Sequence, residues 1–271
     1  SNDSNRRYRG MAVGTTPESI NVASVSYNYD SFGNVLVHKV GSVNATPVQT
    51  GTFTYDSQNR VTSGYGQTFS WKNNGDFETF AGLGYTYDAI HAHAVNTVGG
   101  VDRYDYNLNG SMSVRGKGTS GQQTLRWDSR NQLAQVTWGS PAQHEYYGYD
   151  ENGRRIARAQ VNGGSTVMTY YPFAHYEQTG STGAGVTKYY FFAGERFALR
   201  AGTGAGVLRL LYKDRISSTV HVTDGAGNFL GSSGYYAFGA TLRSTGTIPT
   251  DRRFRWCLPL SSRHLPQRRI L

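Results

Sequence analysis

The chain has a single cysteine, Cys257, among its 271 residues, so no internal disulfide framework holds it together. An exported β protein without disulfides is bacterial rather than animal in style. No apolar run reaches the about 18 residues of a membrane-spanning helix. No long stretch repeats apolar residues at the 3.6-residue spacing of an amphipathic helix, which argues against a helical bundle. The opening SNDSNRRYRG has no Met and no charged-then-apolar signal pattern, so the chain is expected to be a piece of a longer product.

Acidic residues are the scarcer charge, and the net charge is +9. That value invites a nucleic-acid reading until the charge is located. Residues 251–271 carry six Arg and one Asp, a net +5, while the other 250 residues carry 21 basic and 17 acidic groups, a net +4. The basic residues of the body are scattered, without the clustered footprint of a nucleic-acid binder, and no nucleic-acid partner is expected.

What the chain does have is 34 Gly and 20 Tyr against 37% hydrophobic residues, the composition of a turn-dense, aromatic-rich sheet. The stretch YNYDSFGNVL shows how the two combine. Tyr27 and Tyr29 share one face of an extended strand. Asp30 offers a carboxylate to backbone N–H groups just beyond it and starts a turn. Gly33 supplies the positive φ of a short hairpin loop, and Val35 and Leu36 begin the returning strand.

The same offsets recur. FTYDSQNRV places Phe53, Tyr55, Asp56, Asn59 and Val61. FSWKNNGDF places Phe69, Trp71, Gly75 and Phe77, with Lys72 for the Asp. YDYNLNGSM places Tyr104, Tyr106, Asn107, Gly110 and Met112. LRWDSRNQL places Leu125, Trp127, Asp128, Asn131 and Leu133. YGYDENGRRI places Tyr147, Tyr149, Asp150 and Gly153, with the apolar residue displaced by one to Ile156. TDGAGNF keeps Asp224, Gly227 and Phe229, with Thr223 for the aromatic. YTYDAIHAH keeps Tyr85, Tyr87 and Asp88, but its third position after the Asp is His91, a poorer left-handed residue. Gly and Asn share little except tolerance of the left-handed region, so their alternation at one offset is a backbone requirement. Self-similarity at this period indicates a repeat architecture.

Sharper chemical readings yield to this one. Trp71, Trp127 and Trp138 are candidates for sugar stacking, yet packing against neighbouring hairpins explains aromatics better, because a lone hairpin is marginal. Asp56, Asp128 and Asp150 resemble hydrolase carboxylates only until their fixed place at the turn is noticed. Asp88, His91 and His93 lack a fourth metal partner. Gly116-Lys117-Gly118-Thr119 departs from the phosphate-loop spacing. Cys257 has no sequence-local His partner, His264 being seven residues away. No catalytic, cofactor-binding or metal residue is assigned.

Along the chain, residues 1–20 read as an irregular segment and 21–160 as continuous hairpin units. Residues 161–210 read as further strands separated by the Gly-rich loops GSTGAG and GTGAG. Residues 211–254 form a more individual block, and 255–271 an atypical Arg-rich tail without Gly, Tyr or Asp.

The Y-D-x-x-G phrase resembles the YD repeats of the RHS (rearrangement hotspot) family of large bacterial proteins. The block Tyr212–Phe254 resembles the first half of the RHS repeat-associated core domain. There the family's D-H-L-G-S-T, V-T-D-x-x-G-N and Y-x-P-F-G correspond to Asp214 to Thr219, Val222 to Asn228 and Tyr236 to Gly239. Arg215-Ile216-Ser217 replaces His-Leu-Gly, so a locally altered segment is expected after Asp214. The family's continuation past Phe254, with its Y-D-P-x-x-G-R phrase and self-cleavage aspartates, is missing, and the change at Arg255 reads as a frameshift or truncation.

The resemblance implies an all-β fold of repeated antiparallel hairpins in an extended, curving sheet ribbon, part of a shell. It implies a wall segment of an exported or surface-associated protein, with the rest of the shell and an enclosed C-terminal toxin as partners. It assigns structural roles to Tyr29, Asp30, Gly33, Tyr55, Asp56, Asn59, Trp127, Asp128, Asn131, Tyr149, Asp150, Gly153, Asp224 and Gly227. Two alternatives stand beside it: an adhesion module with cell-surface glycans as partners, and a truncated gene fragment without function.

Overall fold

A computed structural model describes residues 7–13, 23–42, 45–250 and 253–254. Cys257, His264 and the 255–271 tail lie outside the described residues, as do residues 1–6 and 14–20 of the N-terminal segment.

The fold is all-β, with antiparallel strands in two sheets that follow sequence order and do not close into barrels. The first sheet starts with β1 (Gly10–Val13), β2 (Ala23–Tyr29), β3 (Val35–Ser42), β4 (Ala45–Tyr55) and β5 (Val61–Gly64). It continues with β6 (Gln67–Trp71), β7 (Phe77–Phe80), β8 (Leu83–Tyr87), β9 (Val95–Val98) and β10 (Val101–Asp102). The second starts with β11 (Tyr104–Tyr106), β12 (Met112–Arg115), β13 (Gln123–Trp127), β14 (Leu133–Trp138) and β15 (Gln143–Tyr149). Next come β16 (Arg155–Asn162), β17 (Ser165–Phe173), β18 (Tyr176–Thr179), β19 (Val186–Phe192) and β20 (Glu195–Ala201). It ends with β21 (Val207–Lys213), β22 (Thr219–Asp224), β23 (Phe229–Tyr235) and β24 (Thr241–Gly246).

Within each sheet every strand pairs with its sequence neighbours, the pattern that short connections favour. Alternation sets the faces: in β13, Gln123 and Leu125 are buried while Thr124 and Arg126 are exposed. β1 corrects the expectation of an irregular segment through residue 20, since Gly10 to Val13 pair with Ser26 to Ala23. Within the Gly-rich GSTGAG spacer, Gly183–Gly185 forms a short 3-10 turn.

The chain divides into two compact units. The first comprises the residues up to Thr68, Tyr189–Arg200 and those from Val207 onward; the second comprises Phe69–Lys188 and Ala201–Gly206. The first unit has an aromatic-aliphatic core in which Val25, Tyr27 and Val35 of the N-terminal strands pack with Val220, Tyr235 and Phe254. Strand β22 is buried on both faces from Thr219 to Thr223. In the second unit Leu125 and Val136 are 3% and 1% exposed.

Candidate functional site

The feature that repeats is a five-residue turn. At Asp30 the backbone N–H donates to the Asn34 carbonyl at 3.0 Å, and the Gly33 N–H donates back to the Asp30 carbonyl at 3.2 Å. The carboxylate then accepts the Asn34 N–H at 2.8 Å. Gly33 has φ 93°, a region that a Cβ disfavours. Asp56 repeats the pattern with Asn59 at φ 60° and with the N–H groups of Gln58 and Arg60 on its carboxylate at 2.9 and 2.8 Å. Asp128 with Asn131, Asp150 with Gly153, and Asp224 with Gly227 do the same. The side-chain amide and backbone N–H of Asn228, with the Ala226 N–H, hold the Asp224 carboxyl below its ordinary value. At Asn107 the amide oxygen replaces the carboxylate and accepts the N–H groups of Asn109 and Ser111.

Three local expectations change. First, Asp214 makes the same turn and is not altered locally: its carboxylate accepts the N–H groups of Ile216 and Ser218 at 3.0 and 2.7 Å, and Ser217 takes the left-handed position at φ 68°. Second, the left-handed residue after Asp88 is His93 at φ 67°, not His91. Tyr87 pairs with Val95, where Tyr29 pairs with Val35, so this loop holds two extra residues. His91 Nδ1 lies 3.1 Å from Asp88 and His93 Nδ1 2.9 Å from Asp76; each His thus has its own carboxylate. Third, the residue paired with Tyr149 is Arg155, and Ile156 is exposed. The Arg155 guanidinium sits over the rings of Tyr147 and Tyr171.

A second regularity was not visible in the pattern. At each of these turns the strand register slips at the residue before the Asp or its substitute, for example between Asn28 and Tyr29 and between Arg126 and Trp127. Such a bulge sets two residues against one and interrupts the ladder. The aromatic of the following repeat then donates to the carbonyl at the bulge. Tyr29 pairs with Val35, and the Tyr55 hydroxyl donates to the Val35 carbonyl at 2.9 Å. Trp71 pairs with Phe77, and the Tyr87 hydroxyl reaches the Phe77 carbonyl at 2.9 Å. The Tyr106 hydroxyl donates to Val95, the Trp127 indole N–H to Met112 and the Tyr149 hydroxyl to Leu133, at 2.7, 2.7 and 2.9 Å. The Tyr235 hydroxyl closes the series on Thr219. Tyr106 belongs to the second sheet and Val95 to the first, so the ladder carries on within the second unit where sheet pairing stops. Tyr and Trp each bring a ring and a donor; Phe brings only the ring.

In the first unit the N-terminal strands and the segment around Arg215 meet at Tyr27. The Arg215 N–H donates to the Tyr27 hydroxyl at 2.9 Å across 188 residues, and the Tyr27 ring stacks on His38 at 4.6 Å. His38 Nδ1 bonds the Tyr65 hydroxyl. Burial, with Arg215 nearby, lowers the His38 pKa to about 4. Burial likewise raises Asp214 to about 6 against the N–H groups it accepts. Of the candidate tryptophans, Trp71 stacks on Phe77 at 4.2 Å, Trp127 is engaged on Met112, and Trp138 is half-buried.

No family model matches the chain, and no curated protein does. Solved structures do. The crystal structure of TcdB2-TccC3-Cdc42 matches with TM-score 0.72 and 19% identity, over 91% of this chain and 15% of that one. A Photorhabdus luminescens Tc holotoxin pore gives 0.70 and 17%, over 91% and 14%. The crystal structure of TcdB2-TccC3 gives 0.70 and 18%, over 91% and 15%. The chain shares the fold of the matched part of these chains, the all-β fold expected for YD repeats. It spans about 15% of the length of these neighbours. Among the described residues no helix is long and apolar enough to cross a membrane.

Proposed function

We propose that the chain is a wall segment of an RHS-type shell, part of an exported or surface-associated bacterial protein that encloses a C-terminal toxic polypeptide. The observation that carries this reading is the ladder of Tyr and Trp donors, which ties one hairpin to the one before it at Tyr55, Tyr87, Tyr106, Trp127, Tyr149 and Tyr235 and suits an element meant to be extended by further copies. One of the similar structures is by name a Tc holotoxin pore. The role is mechanical: the carboxylates of Asp56, Asp128 and Asp150 each accept N–H groups of their own turns, and no catalytic step is assigned to them.

Protease protection of the native gene product tests this. A polypeptide encoded downstream is expected to survive digestion within the shell and to be degraded when made alone. Equal digestion in the two settings would sink the wall reading. Failure to find any peptide of this chain in cells that carry the gene would leave the gene-fragment reading.

A further inference from the structure

The two sheets join at Arg103, within the second unit. Strand β10 pairs back onto β9 and ends the first sheet, while β11 pairs onward with β12 and starts the second. Arg103 stands between β10 and β11. Its N–H donates to the Asn96 carbonyl and its carbonyl accepts the Lys117 N–H, both at 3.0 Å, so its backbone is bonded once to each side. Because Asp102 pairs with Thr97, a continued antiparallel ladder would set Tyr104 against Val95. Among the described residues that pairing is absent, and the Val95 carbonyl takes the Tyr106 hydroxyl at 2.7 Å.

What spans the join is the turn Gly116-Lys117-Gly118-Thr119, the stretch whose spacing does not fit a phosphate loop. Gly116 and Gly118 have φ 67° and 73°, values that suit glycine. The Thr119 N–H and hydroxyl both donate to the Gly116 carbonyl, at 3.1 and 2.7 Å. This tight turn fixes Lys117 at the join. The Lys117 ammonium lies 2.8 Å from Asp102 in β10 and 2.9 Å from Asp105 in β11, so it holds one carboxylate from each sheet. Arg103 Nη1 donates to the Lys117 carbonyl at 2.9 Å. The bonds to Asp102 and Asp105 push the Lys117 pKa up to about 12, and the ammonium stays charged near neutral pH. The three charged side chains are 40–47% exposed, and exposed pairs of this kind weaken as salt rises.

We propose that residues 101–106 form a hinge in the second unit, latched by Lys117 and released by salt. A hinge concentrates its conformational change in a few residues. Here the backbone bonds to the two sides converge on Arg103. The ladder bonds that would resist bending give way to two ion pairs and a tyrosine hydroxyl. Opening draws Lys117 away from Asp102 or Asp105, while the β9–β10 and β11–β12 hairpins keep their own pairing. Screening by salt and loss of the lysine charge favour the same open form. The hinge is independent of the wall reading, because it lies within one unit and needs neither cargo nor a closed shell.

Hydrogen exchange followed by mass spectrometry on the full chain tests this, with the β15–β16 hairpin of the same unit as internal reference. At low salt, peptides covering residues 101–106 and 115–118 are expected to exchange faster than those of β15 and β16. Raising salt from about 0.01 to about 1 M shortens the Debye length from about 30 to about 3 Å and should speed exchange at the join about threefold or more. Lys117→Gln, and separately the pair Asp102→Asn with Asp105→Asn, should bring the faster exchange already at low salt and remove the salt response. Lys117→Arg should keep the parental behaviour. Circular dichroism melts identify a variant that has lost its fold, and the salt response of the parental chain reads the latch without any substitution. Protection at the join equal to that of β15 and β16 at both salt levels overturns the hinge. Fast exchange that is indifferent to salt and to the substitutions overturns the latch, as does a salt response that β15 and β16 share in equal measure.

Discussion

The Tyr149 hydroxyl donates to the Leu133 carbonyl at 2.9 Å. Leu133 is the residue paired with Trp127 at the preceding bulge, so the aromatic of one hairpin satisfies the backbone of the one before. Tyr149→Phe keeps the ring and removes the donor. Leaving a partly buried carbonyl short of a partner costs about 1–2 kcal/mol. A lower urea midpoint with an unchanged slope is expected. If the midpoint stays at the parental value, the ladder is geometric coincidence and contributes nothing.

The turn carboxylate can be separated from its charge. Asp150 accepts the N–H groups of Asn152 and Arg154 at 3.0 and 2.8 Å, and Asn107 does the same work with an amide. Asp150→Asn should therefore be nearly neutral, while Asp150→Ala should cost about 1 kcal/mol, the usual loss when a backbone-capping acceptor is removed. Equal losses in the two variants would mean that the charge, not the acceptor, matters.

Much of this was readable from residue types. Alternating aromatics, the Asp and the Gly or Asn three positions later each answer a local demand, and a strand or turn depends on its own few residues. What escaped reading depends on partners far away in sequence. Asp214 hides its turn behind Ser217, a residue type not expected in the left-handed region, and only the carboxylate's bonds to Ile216 and Ser218 reveal it. The two extra residues after Asp88 moved the left-handed position to His93, because register is fixed by the pairing of Tyr87 with Val95 and not by counting from the Asp. The donor role of Tyr and Trp is invisible in one repeat, since the acceptor belongs to another. The bond between Arg215 and Tyr27 spans 188 residues, and no local pattern encodes it.

Buried histidines give the fold an acid-sensitive limb. His221 is 0% exposed, neither ring nitrogen has a partner among the described residues, and burial with Arg243 nearby lowers its pKa to about 4. His38 is lowered to about 4 as well. Between about 6.5, the ordinary histidine value, and about 4, the unfolded chain binds these protons and the folded chain does not. Stability is therefore complete above that window and falls as pH drops through it. Asp214, raised by burial to about 6, works the other way: the folded chain binds its proton first, and stability from this group is lost as pH rises toward 6. His221→Leu should flatten the decline between pH about 6.5 and about 4, and Asp214→Asn should raise stability at pH about 7 more than at pH about 4. Melts across that range that leave both slopes at the parental value would contradict the assigned environments.

Gly239 tests close approach. Its φ is 91°, and a Cβ there would run into the ring of Phe254, which packs on Tyr235 at 5.2 Å. Gly239→Ala adds left-handed strain to a displaced core ring, a loss of about 2 kcal/mol or more. Gly227, also at positive φ but with open space around its missing Cβ, should lose less on the same substitution. If the two alanine variants melt together, backbone strain alone sets the cost and the Phe254 contact is soft.

An open sheet predicts its own solution behaviour. Strand β24 ends the second sheet, and Thr241, Ser244, Thr245 and Gly246 are exposed along it. Unpaired N–H and C=O groups on such an edge are a template for another strand; β24 holds no proline, and among the described residues no further strand pairs with it. The chain made alone should associate with rising concentration, visible as increasing weight-average mass in sedimentation equilibrium, and should aggregate before a reversible melt is complete. A chain that stays monomeric over a wide concentration range and melts cooperatively would show that its edges are already protected, and the open-ribbon account of the wall would have to be abandoned.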